Sequence, residues 1–282
     1  MYREKGSGSG EITGFGDCIT PGKYTIHSTF SKALNYANGT RLLSIVTPEI
    51  GNGPVNIVFQ TLHWCSHSCI EFRGTFLRLN GFCYTLGEEK RYISKIVFST
   101  VDERVVNNNI SLFEEIVKRE SPEKSYAFVL DERREHYFSS PYDKALFHRV
   151  MNGRTELLRN NYREAVRLFK GTGYGFTPSG DDFIAGLITG FHILQKIYRK
   201  PIIEDLKVMY EESKTGNIVS DNFLLFAYRG CFFEKMKNLL VSLIEGGRNA
   251  IKENTLKVLD MGETSGADFC TGLIFGFRYF IR

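Results

Sequence analysis

The 282-residue chain contains no uninterrupted apolar run of the roughly 18 residues that a membrane-spanning helix needs. Its best stretch, 183–197, is short and carries His192 and Gln195. Charge of one sign is equally scarce. Lys+Arg number 36 against 32 Asp+Glu, a formal net charge of +4, too small a bias to point to nucleic acid or a membrane surface. The first ten residues, MYREKGSGSG, hold no apolar h-region and no small-residue cleavage site after one, so a cytoplasmic chain is expected. Six cysteines (18, 65, 69, 83, 231, 270) in such a chain read as reduced thiols and not as a disulfide framework. What is present, 42% hydrophobic and 24% charged residues, excludes disorder and coiled coil and suffices for one large core or two modest ones.

Residues 41–100 favour strands, because 42–46, 55–59, 69–79 and 93–98 are β-branched or aromatic runs. Gly51-Asn52-Gly53-Pro54 and Asn80-Gly81 supply turn chemistry between them, the latter as a two-residue hairpin signal. One earlier helix is expected over Lys32–Ala37, capped by Ser28 or Ser31. After about Asn109, apolar residues recur at three- and four-residue steps, as in Leu112/Ile116 and Leu157/Leu158/Ala165/Val166/Phe169. Helices follow over 183–198, 203–212, 221–227, 233–245, 250–259 and 269–281. Segregated strands and helices predict an α+β protein, with a β-rich part at 1–108 and a helical part at 109–282.

Glycine is the one residue in excess, 27 in all, and it is clustered: six in 1–22, six in 171–190 and four in 262–276. The last two clusters mark a repeat. Offset by 86 residues, Ser179-Gly180-Asp181-Asp182-Phe183 to Phe191 aligns with Ser265-Gly266-Ala267-Asp268-Phe269 to Phe277, identical at nine of thirteen positions. Two repeat units are thus expected, at 171–191 and 262–277. Ser179 with Asp182, and Ser265 with Asp268, stand at the S-x-x-D spacing of a capping box. Gly186/Gly190 and Gly272/Gly276 lie four apart on one helix face, although a mid-helix glycine costs about 1 kcal/mol relative to alanine. Close backbone approach would offset that cost, so the two repeat helices are expected to pack together about a pseudo-twofold axis.

The first copy is preceded by Gly171-Thr172-Gly173-Tyr174-Gly175-Phe176-Thr177-Pro178. A glycine-rich loop entering a helix start can hold an anion with exposed N–H groups and the positive end of the helix dipole. It matches neither the Walker loop nor the dinucleotide fingerprint. Asp181 and Asp182 would repel a phosphate unless a cation intervened, so a magnesium-bridged phosphate or a proton-transfer role suits them. Capping and helix packing account for Ser179, Asp182 and the helix glycines on purely structural grounds; Asp181, which the second copy replaces with Ala267, is extra to that scheme.

The run G-x-G-x-G-x-T-P-S-G-D-D-x-x-x-G at 171–186 resembles the signature of the bacterial AllH family, named for a subunit of oxamate carbamoyltransferase in allantoin breakdown. His27-Ser28-x-Phe30 with Asn35, Gly53-Pro54 with Asn56, and 215–230 also resemble it. The resemblance implies a role in carbamoyl transfer between carbamoyl phosphate and oxamate, with other subunits present.

Two further groups stand out. His63, Cys65, His67 and Cys69 alternate on one face of a strand, a pattern that supplies at most two ligands to one tetrahedral ion. Arg133, Arg134, Arg149, Arg154, Arg159, Arg163 and Arg167 read mostly as a solvated face from which one or two could reach a phosphate. The leading expectation is an enzyme subunit that binds a small anionic substrate. Gly173, Gly175, Thr177, Ser179, Gly180, Ser265 and Gly266 would position it; Asp181, Asp182 and Asp268 would act chemically, the first two also as metal ligands. The competing expectation is a noncatalytic assembly subunit.

Overall fold

The computed structural model describes residues 11–60, 69–79, 81–97, 101–198 and 203–278, and the chain is α+β. Two units separate: 1–95 with 231–234, and 96–230 with 235–282. The division therefore lies some dozen residues before the expected boundary at 108/109, and a short segment between two late helices joins the first unit.

In the first unit the described strands are β1 (Ile12–Gly16), β2 (Gly22–Thr29), β3 (Ala33–Asn38), β4 (Arg41–Val46), β5 (Asn56–Phe59), β6 (Cys69–Arg73), β7 (Phe76–Leu79), β8 (Phe82–Thr85) and β9 (Arg91–Tyr92). They form one sheet in the order β8-β7-β6-β2-β3-β4-β5-β1-β9. Neighbours are antiparallel except β4/β5 and β1/β9. The expected helix at 32–37 is instead β3, paired on both sides by β2 and β4. Its helical propensity is overridden by pairing and burial: Leu34, Asn35 and Tyr36 are all buried. Ser28, proposed as a helix cap, accepts from Asn35 Nδ2 at 3.0 Å across the ladder, and Ser44 donates to Asn35 Oδ1 at 2.7 Å. The run 69–79 breaks at Gly74, whose φ of +64° admits the turn between β6 and β7. Residues 93–97, expected as strand, are irregular beyond β9. His63, Cys65 and His67 and the amino-terminal glycines 6, 8 and 10 lie outside the described residues; Cys69 opens β6 and is exposed.

In the second unit the described helices are α1 (Glu103–Glu120), α2 (Pro141–Leu158), α3 (Tyr162–Phe169), α4 (Ser179–Tyr198), α5 (Ile203–Ser213), α6 (Ile218–Arg229), α7 (Glu234–Glu245), α8 (Arg248–Leu259) and α9 (Ser265–Arg278). None of the described helices is long and apolar enough to cross a membrane. Local chemistry starts them: Asp102 accepts from Arg104 N–H ahead of α1, and Ser140 with Asp143 forms a complete capping box for α2, with Pro141 in the first turn.

The two copies of the repeated element begin α4 and α9, and these helices pack against each other at the centre of the unit. Residues 181–191 of α4 and 266–274 of α9 are buried without a polar stripe, as a helix enclosed on every side requires. A Cβ on Gly186 would lie 2.0 Å from the Phe269 carbonyl oxygen, and one on Gly272 would lie 1.9 Å from that of Phe183. Gly190 and Gly276 meet Cα to backbone, each Cβ position lying 2.8 Å from the other's Cα. The contacts 183/272, 186/269 and 190/276 exchange under the 86-residue offset, which is the signature of a local twofold.

Because backbone fills the space, Gly186→Ala and Gly272→Ala are each expected to destabilise the protein by roughly 1–3 kcal/mol, although alanine is favoured by about 1 kcal/mol in an open helix. Urea melts of these variants beside Gly247→Ala, where nothing lies within 4 Å of the added atom, measure the contrast. Equal stability of all three would remove the close-packing explanation.

Candidate functional site

The segment between α3 and α4 can fold as it does because three of its glycines adopt positive φ: Gly171 (+68°), Gly173 (+100°) and Gly175 (+93°). Asp181 closes this loop. Its Oδ1 accepts from Gly171 N–H at 2.8 Å, and the Ser220 hydroxyl faces its carboxylate. The carboxylate thus braces the loop from below, which explains both its presence beyond the helix start and its replacement by Ala267 in the second copy, where the connection from α8 to α9 spans only 260–264.

Gly180 and Gly266 were expected to bind substrate, but each is packed against the helix that precedes it. A Cβ at either position would lie 1.8 Å from a carbonyl oxygen, of Phe169 and Val258 respectively. Gly173 is similarly tight against Ser179, with its Cβ position 2.6 Å from Ser179 Cβ.

The capping boxes do not close within their own helices. Asp182 accepts from Thr177 Oγ1 at 3.3 Å and is faced by Ser265 of the second copy. Asp268 accepts from Tyr126 N–H at 2.6 Å and is faced by Thr264 and by Ser179 of the first copy. Ser179 and Ser265 are the first residues of α4 and α9, one step too far along to cap, and the pairing of the helices turns each serine toward the other copy's aspartate. Hydroxyl contacts complete the crossing: Thr177 Oγ1 to Ser265 Oγ is 3.3 Å, and Ser179 Oγ to Thr264 Oγ1 is 3.4 Å.

All three aspartates are buried, with exposures of 0% for Asp181, 3% for Asp182 and 0% for Asp268. Desolvation dominates their titration. It raises Asp181, raises Asp182 well above the carboxylate range with a contribution from the Asp268 charge, and lifts Asp268 to about 7. Asp182 and Asp268 therefore retain protons where ordinary carboxyls have lost them. Asp181 and Asp182 turn to different partners, and among the described residues no three His, Cys, Asp or Glu side chains are grouped to hold a metal ion.

Above this polar core opens a cleft of about 590 Å³ lined by Lys124, Tyr174, Gly175, Phe176, Thr177, Gly262, Glu263, Thr264 and Ser265. Both repeat units contribute. Of the expected substrate contacts, Gly175, Thr177 and Ser265 line it, whereas Gly173, Ser179, Gly180, Gly266 and the three aspartates lie beneath or beside it.

The cleft's cation is Lys124, a residue that no spacing singles out. Lys124 Nζ lies 3.0 Å from Asp143 Oδ2 and 5.8 Å above the Tyr174 ring. The Tyr174 hydroxyl donates to Asp143 Oδ1, and together with Lys124 it holds the Asp143 carboxyl far below its usual range. Tyr142, next to Asp143, donates to Gly173 O at 3.2 Å, so the capped start of α2 anchors the glycine loop. The S-x-x-D spacing of Ser140 and Asp143 is the one local signal here, and it marks a helix cap and not a cleft.

The arginines have local partners instead. Arg133 pairs with Asp131, Arg154 with Glu132, Arg159 with Glu156, and Arg163 and Arg167 with Glu212. Arg134 and Arg149 donate to backbone carbonyls.

A duplicated glycine-loop and helix unit thus closes on itself below a hydroxyl-rich cleft. The model of the family described as oxamate carbamoyltransferase subunit AllH matches residues 169–277, from the last residue of α3 almost to the end of α9. The chain resembles that family over the whole duplicated unit. No curated protein and no solved structure gives a match.

Asp268 makes the site pH-sensitive with a definite sign. Its carboxyl ionises near 3.8 when unperturbed and near 7 in the fold, so between these values the folded state binds more protons. The contribution of Asp268 to stability is expected to fall as pH rises from about 4 to about 7 and then to level off; Asp182, also raised, acts in the same direction. Asp268→Asn keeps an acceptor for Tyr126 N–H and should flatten this dependence. Urea midpoints across the window provide the measurement, and an unchanged slope in the variant would place the proton elsewhere.

Proposed function

We propose that the protein is a carbamoyltransferase subunit whose cleft, between the glycine loop and the 262–265 turn, holds a small anionic substrate of the oxamate or carbamoyl phosphate type. The family likeness supports this reading at the coarse level of a subunit. The observation that carries it to the site is the coincidence of one cation and three hydroxyl groups, Lys124, Thr177, Thr264 and Ser265, on the walls of a single cleft whose one acidic lining residue is Glu263. An ammonium and converging hydroxyls are what a compact carboxylate or phosphate needs for charge and hydrogen bonds.

The roles follow from position. Lys124 is placed on the cleft wall by its ion pair with Asp143, whereas none of the seven arginines lines the cleft. Thr177 and Ser265 stand between the cleft and Asp182, so a proton kept by Asp182 has a hydroxyl route to the bound anion. Asp268 supports the opposite half through Ser179 and Thr264. Asp181 is a positioning residue for the loop. A magnesium ion, suggested by the adjacent carboxylates, would have to be carried in with a phosphate, since Asp181 is turned to Gly171. Other subunits are expected to complete the enzyme.

A noncatalytic assembly role has one observation in its favour, the exposed Tyr142, Tyr174 and Phe176 around the loop. The two readings separate experimentally. In calorimetry with carbamoyl phosphate and with oxamate, Lys124→Ala is expected to weaken binding at least tenfold and Ser265→Ala several-fold. In the reconstituted complex, Asp182→Ala should abolish transfer with assembly intact. Ligand binding that is indifferent to Lys124 and Ser265, or full activity without Asp182, would favour the assembly role.

A further inference from the structure

A pair of cysteines lies in the β-rich unit, apart from the cleft. Cys18 follows β1, and Cys231 opens the 231–234 segment just after Gly230, the left-handed cap of α6. Although 213 residues separate them in sequence, their sulfurs are 3.8 Å apart. Cys18 Sγ also lies 3.8 Å from Ser94 Oγ and 3.5 Å from Asp17 Oδ1.

Both sides of this contact are pinned. Asp17 Oδ2 accepts from Ser94 N–H at 3.0 Å, and Ser94 O accepts from Phe232 N–H at 3.0 Å. Tyr92 donates to Phe232 O at 2.8 Å. Two residues further on, Glu234 Oε2 accepts from Asn52 N and Nδ2 at 2.9 and 3.1 Å. Chain segments from residues 17, 52, 92–94 and 231–234 thus converge on one hydrogen-bonded knot with the two sulfurs inside it. A disulfide needs the sulfurs at about 2.05 Å, an approach of under 2 Å from the 3.8 Å contact. Cys231 is buried, while Cys18 is partly exposed and gives a small oxidant access to the pair.

We propose that Cys18 and Cys231 form a modification site, a dithiol that a two-electron oxidant of the peroxide class converts reversibly to a disulfide. One sulfur, as thiolate, attacks a peroxide oxygen; the O–O bond breaks, a sulfenic acid forms and the first water leaves. The second sulfur then attacks the first, the S–O bond breaks, the S–S bond forms and the second water leaves. Two thiols give up two electrons and two protons, and the peroxide becomes two waters.

The electrostatics support the first step. The Cys18 thiol donates to the Cys231 sulfur, which lowers the Cys231 pKa and raises that of Cys18. Lys95 favours the Cys231 thiolate and Asp17 opposes it. By contrast, Cys270 is buried on α9 with its thiol pushed up by desolvation. The disulfide would close a loop of more than two hundred residues, so it should stabilise the fold mainly by restricting the unfolded chain.

The test is titration of the folded full-length chain with hydrogen peroxide, followed by a non-reducing peptide map. A Cys18–Cys231 linked peptide about 2 Da lighter than the two thiol peptides is expected. It should be reversed by dithiothreitol, accompanied by a rise in Tm of about 3 °C or more, absent in Cys18→Ser and Cys231→Ser, and retained in Cys270→Ser and Cys65→Ser. Separate sulfinic acids, links to other cysteines, or the same linkage yield in urea-denatured protein would each overturn the proposal. The wild-type map decides the matter even if a serine variant folds poorly.

Discussion

The close approach of α4 and α9 is the constraint on which the helical unit depends. Two backbones can run this near each other only where side chains are absent, and Gly186, Gly190, Gly272 and Gly276 provide that absence at corresponding positions. The loss of helix propensity at four glycines is offset by dispersion contacts over a fully enclosed pair of helices. The same approach brings the helix starts together. Ser179 faces Asp268 and Ser265 faces Asp182 because the helices pack with the symmetry that the glycines permit.

From this follows the chemistry of the cleft floor. Four hydroxyls and two carboxyls are gathered where two helix N-termini meet; Thr177, Thr264 and Ser265 line the cleft, while Ser179 and both carboxyls are buried beneath it. Ionised carboxylates there would lack the solvation they have in water, so burial drives both toward the protonated state. Each then becomes a hydrogen-bond donor as well as an acceptor, a property that isolated aspartates at neutral pH do not have. The site and the core of the unit are consequently one structure, since loosening the helix pair would also hydrate and ionise the aspartates.

Much of this was legible from residue patterns. The α+β class, most helices and the duplicated element follow from periodicity and from a self-match of nine positions in thirteen. Residues 33–38 form a strand where local propensity favours a helix: Lys32-Ala33-Leu34 has helical propensity, while the competing information, pairing with β2 and β4 through Asn35, is held by residues elsewhere in the chain. The capping boxes illustrate the same lesson within the site. S-x-x-D spacing is compatible with a cap, but whether the serine precedes the helix or begins it is decided by one residue of helix boundary, which spacing does not encode.

The sequence by itself determined which segments are helices and strands in most of the chain, where the backbone must bend through positive φ, and that two equivalent elements should pair through glycine. These are local properties, set by side-chain shape and hydrophobic period. Only the tertiary structure decided that Asp181 braces the loop while Asp182 and Asp268 form a crossed floor. It also decided that Lys124 and not an arginine reaches the cleft, and that Cys18 meets Cys231. Each of these depends on atoms brought within hydrogen-bond distance across tens to hundreds of residues, and such proximity arises from packing and has no counterpart in sequence spacing.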